Sequence, residues 1–273
     1  MKKKTKKTII NILMVLCILV ALGCGGYLAY YYYTSSQTEA EFNTLRDMVV
    51  EVEVPKVENT DNDEDKPQVE MVTVNGVFVQ KKFEKLYRAN SDFIGWLTID
   101  DTLVDYPVMY TPNDAEKGEF YIHRDFEMNY SAAGLPFIDR YCTIEYPTDN
   151  IIIYGHNMNS GTMFHDILKY QEKEFYEQHK TFTFDTIYGD GTYEVVAAFY
   201  GQVLPEESDA FKYYEFVNAG NEEDFMSFID NIKAMSVIDT GVEVKYGDKL
   251  VTLSTCAYHV KDGRFAVIAK KIK

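Results

Sequence analysis

Three side chains that could perform nucleophilic chemistry stand at the ends of apolar runs. Cys256 closes one β-branched run, a short polar loop follows, and Arg264 opens the next apolar run. This strand–turn–strand pattern predicts that the two residues lie near each other at a loop-lined rim of a sheet. A thiol is nucleophilic as the thiolate, which a nearby cation favours. Upstream, His156 follows the apolar run 151–154 and is the candidate proton-transfer partner.

Other assignments of these residues stay open on spacing alone. Free cysteine is commonly buried and inert, so a non-catalytic surface-binding module with Cys256 in its core is one alternative. A papain-like protease has its cysteine before its histidine, whereas the order here is reversed. A zinc site requires three or four converging ligands, and no paired Cys or His spacing indicates one. Spacing does not exclude three rival histidines, His123, His165 and His179.

Three motifs together resemble the signature of sortases, the cysteine transpeptidases of Gram-positive bacterial surfaces. They are Tyr-Gly-His-Asn-Met at 154–158, Thr-Leu-Ser-Thr-Cys at 252–256, and Arg264 on the following strand. The stretch Tyr-Ile-His-Arg-Asp-Phe at 121–126 and a long helical insertion before the cysteine strand resemble class B. The resemblance covers roughly residues 78–273.

The resemblance implies a mainly β fold, a closed eight-stranded β-barrel with N-terminal helices and a helical insertion before the cysteine strand. It implies that Cys256 attacks the threonine carbonyl of a C-terminal sorting motif and forms a thioester. A peptidoglycan amine then accepts the surface protein. A sortase-type pilin polymerase remains an alternative, and the motif and the accepting amine stay open.

The same resemblance assigns roles to individual residues. His156 protonates the leaving amine, and Arg264 holds the oxyanion, helped by the backbone N–H of Ala257. Tyr154 and Ser254 are expected to line the substrate groove, and His123 is expected to be structural. His165 and His179 are expected at the surface, while His259 is on a loop that could touch the site. No metal or organic cofactor is required.

The elements that must position these residues follow from hydrophobic patterning. Most predicted strands are connected without an intervening helix, which favours a mixed or antiparallel barrel over a doubly wound sheet. Helical spacing occurs at 81–90, 163–178 and 222–235. The predicted strands are 92–99, 104–110, 135–139, 150–154, 181–184, 193–203, 249–256 and 264–271.

Ahead of the folded domain, 71–273, the chain has three segments. Residues 1–8 are basic, and residues 9–33 form an apolar run long enough to span a bilayer. Lysines before the span predict a cytoplasmic N-terminus and an extracellular catalytic domain. A cleaved signal peptide and a lipoprotein signal at Cys24 are the alternatives. The polar, acidic segment 34–70 is predicted to be a flexible stalk.

Composition excludes some partners. The net charge is −16 although five lysines stand among the first seven residues, which argues against nucleic acid and against an anionic membrane face. An acidic body is compatible with an amine-bearing partner or serves solubility alone. Cys17 and Cys24 lie in the apolar run, and two further cysteines do not make a disulfide framework. Cys142 and Cys256 are therefore expected to be reduced.

Overall fold

The structure, a computed structural model, describes residues 3–50 and 69–273. The chain forms two compact units, one up to Arg46 and the other from Asp47 onward. Helix α1 (Lys3–Met48) accounts for the described part of the first unit. It contains Ile10–Tyr30, a 21-residue stretch with a mean hydropathy of 2.5, which by length and composition is a candidate membrane span.

Helix α1 continues beyond the predicted anchor. Residues 34–48 belong to the segment predicted to be a flexible stalk, but they are helical in the structure. The run 39–46 is rich in Glu, Ala, Leu and Arg, which are good helix formers, and this composition outweighs its polarity. The acidic stretch 51–68 lies outside the described residues, so the stalk stays a prediction there.

Strands that were predicted from alternating and β-branched patterns form the centre of the second unit. In chain order the strands are β1 (Met71–Val74), β2 (Val77–Gln80), β3 (Phe93–Thr98), β4 (Asp105–Met109), β5 (Phe137–Ile138), β6 (Asn150–Tyr154), β7 (Thr181–Thr186), β8 (Thr192–Gln202), β9 (Leu250–Cys256) and β10 (Gly263–Lys271). Strands β3 to β10 close a barrel in the order β10-β8-β7-β3-β4-β5-β6-β9. The predicted eight-stranded barrel is confirmed.

Two of the neighbouring pairs in the barrel are parallel, β4–β5 and β6–β9, and the others are antiparallel. The β6–β9 pair matters most for the site, because it joins the strand before His156 to the strand that ends at Cys256. The barrel is therefore mixed, as the connections between strands predicted.

A separate hairpin of β1 and β2 precedes the barrel and was not predicted. Its two-residue turn is Asn75-Gly76, with φ of 51° and 84°. Positive φ at both central residues is typical of the tight turn that matches the twist of a hairpin, and Asn-Gly is its preferred sequence. The signal was present, but each strand has only four residues.

The helices of the second unit agree with the predictions in part. A 3-10 turn (Lys81–Phe83) leads into α2 (Glu84–Ala89). The predicted helix 163–178 is divided into a 3-10 helix (Asp166–Gln171) and α3 (Lys173–Gln178), because Glu172 between them is extended at φ −95° and ψ 125°. Helix α4 (Glu222–Met235) has the predicted bounds and lies in the insertion between β8 and β9.

Helix α4 covers one face of the barrel near the cysteine strand. Its apolar stripe packs with β8, β9 and β10 in one cluster, which includes Phe225, Phe228, Ile229, Ile232, Val196, Phe199, Leu250 and Ile268. The insertion is also tied to the site strands through Asn150 on β6. Its buried side chain donates to the carbonyl of Phe216 (2.9 Å) and accepts from the hydroxyl of Thr252 on β9 (2.9 Å).

Candidate active site

Cys256 and Arg264 are brought together by an antiparallel hairpin. They are direct Cα partners across β9 and β10, and both are half-buried at the end of the pair. Since side chains of directly opposed residues point to the same face of a sheet, the thiol and the guanidinium share one side. The guanidinium Nη1 donates to the carbonyl oxygen of Gly263 at 3.1 Å. The predicted neighbourhood of thiol and cation is thus present.

His156 reaches the same rim from β6. In the parallel β6–β9 pair, Tyr154 is the partner of Ser254, and the N–H of Gly155 continues the ladder by donating to Ser254 O at 3.1 Å. His156 is the second residue beyond this strand end. Strands β6, β9 and β10 are adjacent in the barrel, where neighbouring strands are ~4.8 Å apart, so the three candidate residues belong to the ends of three adjacent strands.

The imidazole of His156 is held in one orientation. Its Nε2 is 2.8 Å from the carbonyl oxygen of Ile122. A carbonyl only accepts hydrogen bonds, so Nε2 carries a hydrogen and Nδ1 is the nitrogen that remains free in the neutral ring. The ring also stacks on His123, with centroids 5.3 Å apart and planes at 19°. His123 therefore contacts the candidate base directly.

These surroundings favour the neutral form of His156. Burial is the largest influence and lowers the pKa of the imidazole, because a buried ring is poorly solvated when charged. The hydrogen bond to Ile122 O opposes this, and the neighbouring His123 lowers the pKa further. The pKa of His156 consequently lies below its ordinary value of 6.5.

The residues expected to contact substrate occupy different environments. Tyr154 is half-buried and its hydroxyl donates to Asp139 Oδ2 at 3.1 Å, while burial raises the pKa of the phenol strongly. Ser254 is only 1% exposed, and its Oγ shares a hydrogen bond of 2.8 Å with the hydroxyl of Tyr213. These substrate roles stay predictions.

The backbone N–H of Ala257, which was predicted to help bind the oxyanion, is already hydrogen-bonded. It donates to the carbonyl oxygen of Gly263 at 3.0 Å. The same oxygen accepts from Arg264 Nη1. Both groups predicted to bind the oxyanion therefore converge on one carbonyl oxygen.

The other histidines differ in their relation to this rim. His179 stacks on Phe175, 4.0 Å between centroids, and His259 packs against Tyr200 at 4.7 Å. His165, expected at the surface, is instead half-buried, and its Nδ1 lies 2.8 Å from Asn157 Oδ1.

Asn157 is a residue whose contact the motif alone did not reveal. Its Nδ2 donates to the carbonyl oxygen of Cys256 at 3.0 Å. The only signal in the sequence was its place directly after His156. Among residues 3–50 and 69–273, no group of three or more His, Cys, Asp or Glu side chains could hold a metal ion. All four cysteines are free, and Cys142 is buried.

No family model matches the chain. Sortase B of Listeria monocytogenes is 36% identical over 184 residues, which cover 67% of this chain and 70% of that protein. The solved Staphylococcus aureus sortase B–substrate complex is 32% identical, covers 71% of this chain and 86% of that one, and gives a TM-score of 0.63. A crystal structure of sortase B complexed with triglycine is 32% identical, covers 70% of this chain and 86% of that one, and gives a TM-score of 0.62.

The barrel is closed and mixed, and Cys256 and Arg264 are partners across two of its strands. Together with the similarity to sortase B, this defines the chain as a cysteine transpeptidase. The chain belongs to the sortase B family. The resemblance seen in the motifs at 154–158 and 252–256 is thereby confirmed, including its assignment to class B.

Proposed function

We propose that Cys256, His156 and Arg264 are the catalytic residues of this transpeptidase. The observation that carries the proposal is the register of three adjacent strands, β6, β9 and β10, whose ends meet at one rim. A nucleophile, a proton-transfer group and a permanent cation are the three functions that acyl transfer through a thioester requires. Each comes from a different strand or strand end, so the barrel itself sets their spacing.

The reaction has two halves. The Cys256 thiolate adds to the threonine carbonyl of a sorting motif, and Arg264 stabilises the oxyanion. His156, as imidazolium, gives its proton to the departing amine, so the C–N bond breaks and a thioester remains. A cell-wall amine then adds to the thioester and His156 takes its proton. The thiolate leaves, and a new amide bond joins the surface protein to the wall.

The free Nδ1 of His156 is the atom we assign to proton transfer, since Nε2–H is occupied by Ile122 O. A lowered pKa of His156 favours the neutral imidazole, and so we propose that a minority of the enzyme holds the thiolate–imidazolium pair at neutral pH. The rate of Cys256 alkylation against pH measures this. Complete thiolate formation well below about pH 6 would contradict it.

Oxyanion binding would use the two hydrogen-bond donors that now bind the carbonyl oxygen of Gly263. Arg264 and the N–H of Ala257 already donate to that carbonyl. We propose that the substrate oxyanion takes over these donors when the thioester forms, because an anion accepts stronger hydrogen bonds than a neutral carbonyl. Tyr154 and Ser254 are the proposed groove residues beside it.

The substrate class follows from the family and from two solved relatives. One is described as a substrate complex, and another was crystallised with triglycine, a peptide with a free amine. We propose that this chain likewise takes a sorting-motif peptide of a secreted surface protein and a peptidoglycan amine. The sorting motif and the amine are what an assay must identify.

The domain organisation is also a proposal. Residues 1–8 would be cytoplasmic, 9–33 would span the membrane, 34–70 would form the stalk, and 71–273 would be the extracellular catalytic domain. The apolar stretch Ile10–Tyr30 and the lysines ahead of it support this arrangement. Sortase relatives are cell-surface enzymes, which agrees with this location.

A ligation assay tests the catalytic assignment. The full chain in detergent is incubated with a panel of sorting-motif peptides, with and without an amine acceptor, and mass spectrometry follows cleavage, the thioester and the ligated product. We expect wild type to give a thioester on Cys256 and a ligated peptide. Cys256→Ala should abolish both, whereas Cys142→Ala, at the buried cysteine, is the matched control that should retain both.

The outcomes distinguish the alternatives. Ligated product from Cys256→Ala would overturn the assignment of the nucleophile. Cleavage without ligation by every amine tested would indicate a hydrolase. Failure of every peptide, together with a Cys256 that resists alkylation, would favour the non-catalytic binding module.

A further inference from the structure

The amide of Asn157 links the two halves of the site. Its Nδ2 donates to the carbonyl oxygen of Cys256 at 3.0 Å, and its Oδ1 lies 2.8 Å from His165 Nδ1. The carbonyl of Cys256 only accepts, so the Nδ2 end of the amide must face it. Oδ1 then faces His165, whose Nδ1 must carry a hydrogen. Both hydrogen bonds therefore run in the same direction: His165 donates to Asn157, and Asn157 donates to the carbonyl of Cys256.

The position of this amide follows from the parallel ladder. Gly155 N–H donates to Ser254 O, and the next step of a parallel ladder on this side would join Asn157 N–H to Cys256 O. Strand β6 ends at Tyr154, and the side chain of Asn157 makes that contact. The side chain of Asn157 thereby donates to the carbonyl of the last residue of β9.

Asn157 is itself held in place by the residues that follow its loop, Met163 and Phe164. It forms an isolated antiparallel bridge with Met163, and the N–H of Phe164 donates to His156 O at 2.8 Å. Met163 and Phe164 are both fully buried. Buried residues therefore hold the backbone of Asn157, so the position of its side-chain amide does not depend on the loop tip at 159–161.

We propose that Asn157 is a positioning residue, which holds the backbone of Cys256 at a set distance from His156, and that His165 keeps its amide correctly oriented. His156 and Asn157 are consecutive, so a bond from Asn157 to Cys256 couples the two segments through a single peptide unit. This inference rests on the proposed catalytic roles of Cys256 and His156. It differs from the papain-like arrangement, because the amide here binds the nucleophile's backbone.

Asn157→Asp is the sharpest variant because it preserves shape. An ionised carboxylate cannot donate to Cys256 O, whereas a protonated carboxyl can donate to that carbonyl and still accept from His165. At about pH 7.5 we expect kcat for ligation to fall by about 10- to 100-fold, the scale expected for a small displacement of reacting groups, with little change in KM. The ratio of variant to wild-type kcat should rise as the pH is lowered towards the aspartic acid range, near pH 4.

Controls separate positioning from charge and from folding. Asn159→Asp adds the same charge at an exposed position in the same loop and should keep the wild-type kcat and pH profile. His165→Phe removes the outer donor and should lower kcat several-fold with an unchanged melting temperature. If Asn157→Asp fails to fold, His165→Phe decides, and a wild-type kcat in it overturns the proposal.

The experiment uses the full chain in detergent and the peptide and amine that wild type ligates. If kcat fell equally in Asn157→Asp and Asn159→Asp, the added negative charge would explain the loss, and the inference would be overturned. So would a pH-independent loss that parallels the melting temperature. Cys256→Ala is measured beside them: activity in that variant would refute the proposed function, whereas wild-type rates in the Asn157 variants with a dead Cys256→Ala would refute only this inference.

Discussion

At the scale of single residues, the site combines the free thiol of Cys256 with an imidazole, that of His156, whose charged form is disfavoured. His156 is confined by one hydrogen bond and one stacked ring, and burial keeps its pKa below the ordinary value. The third proposed group, on Arg264, is a guanidinium, a type of side chain that stays charged in proteins. The pH dependence of the reaction should therefore be determined by the thiol and by His156.

We predict that His123→Asn raises the pKa of His156. The two rings stack 5.3 Å apart, and a protonated His123 opposes a second positive charge beside it, so a neutral amide removes that opposition. The imidazolium of His156 should then persist to higher pH. The measurement is an NMR titration of the His156 ring in wild type and variant.

The control for this prediction is His179→Asn, at a histidine that stacks on Phe175. It should leave the titration of His156 unchanged. A pKa of His156 that stays constant or falls in His123→Asn would show that the stacked ring has no electrostatic influence.

At the scale of elements, the junction between β6 and the following loop tolerates little extra volume. A Cβ at Gly155 would lie 2.7 Å from ring carbons of Phe164, which is fully buried and whose N–H donates to His156 O. Displacement of this ring would be transmitted to His156. Glycine is needed here because the ring of Phe164 approaches the backbone closely between β6 and His156.

We predict that Gly155→Ala destabilises the protein by about 1–3 kcal/mol, the usual cost of overpacking, and also lowers kcat. Chemical denaturation and the ligation assay measure the two effects. Gly189→Ala is the matched control, because a Cβ there would meet nothing within 4 Å. A Gly155→Ala variant as stable and as active as Gly189→Ala would contradict the steric argument.

Secondary-structure elements were predictable from sequence where the hydrophobic pattern was long. Contacts that depend on loop conformation were not predictable. The β-branched runs that became β6, β9 and β10 predicted both the strands and the proximity of Cys256 to Arg264. Helix α4 was predicted with its observed bounds from its apolar stripe. The helix predicted at 163–178 failed as one piece, since extended backbone at Glu172 interrupts it.

The contacts of Asn157 show why the rest of the site was not predictable. Its partners, Cys256 and His165, are 99 and 8 residues away in sequence. Nothing in local patterning indicates that an amide in a loop will replace a backbone N–H in a ladder. His123 was expected to be structural from its place in the stretch 121–126, and no local pattern indicates that its ring stacks on His156.

At the scale of the whole molecule, an apolar helix precedes an acidic body. The stretch Ile10–Tyr30 is entirely unburied in the structure, so its apolar surface needs a partner. The five lysines before it are the basis for the proposal that the N-terminus is cytoplasmic. Burial of this stretch in lipid would satisfy the exposed side chains.

We predict that the full chain floats with liposomes in a density gradient, whereas a chain lacking residues 1–33 stays in the dense fraction. Membrane insertion of about 20 apolar residues is effectively irreversible, so high salt should not release the full chain. The control is the same measurement in 1 M salt, about the concentration at which surface electrostatics are screened to about 3 Å. Release of the full chain by salt would indicate electrostatic adsorption in place of a spanning anchor.

The parallel β6–β9 pair has a consequence for how the enzyme matures. It joins segments 100 residues apart, and Arg264 lies on the barrel strand that comes after all the others in chain order. Contacts so distant in sequence form late, because a long loop must close before they contribute. If the proposed roles of Cys256, His156 and Arg264 hold, a chain whose barrel has not closed carries the thiol without its two proposed partners. The proposed activity is in this sense a property of the completed barrel and of no single segment.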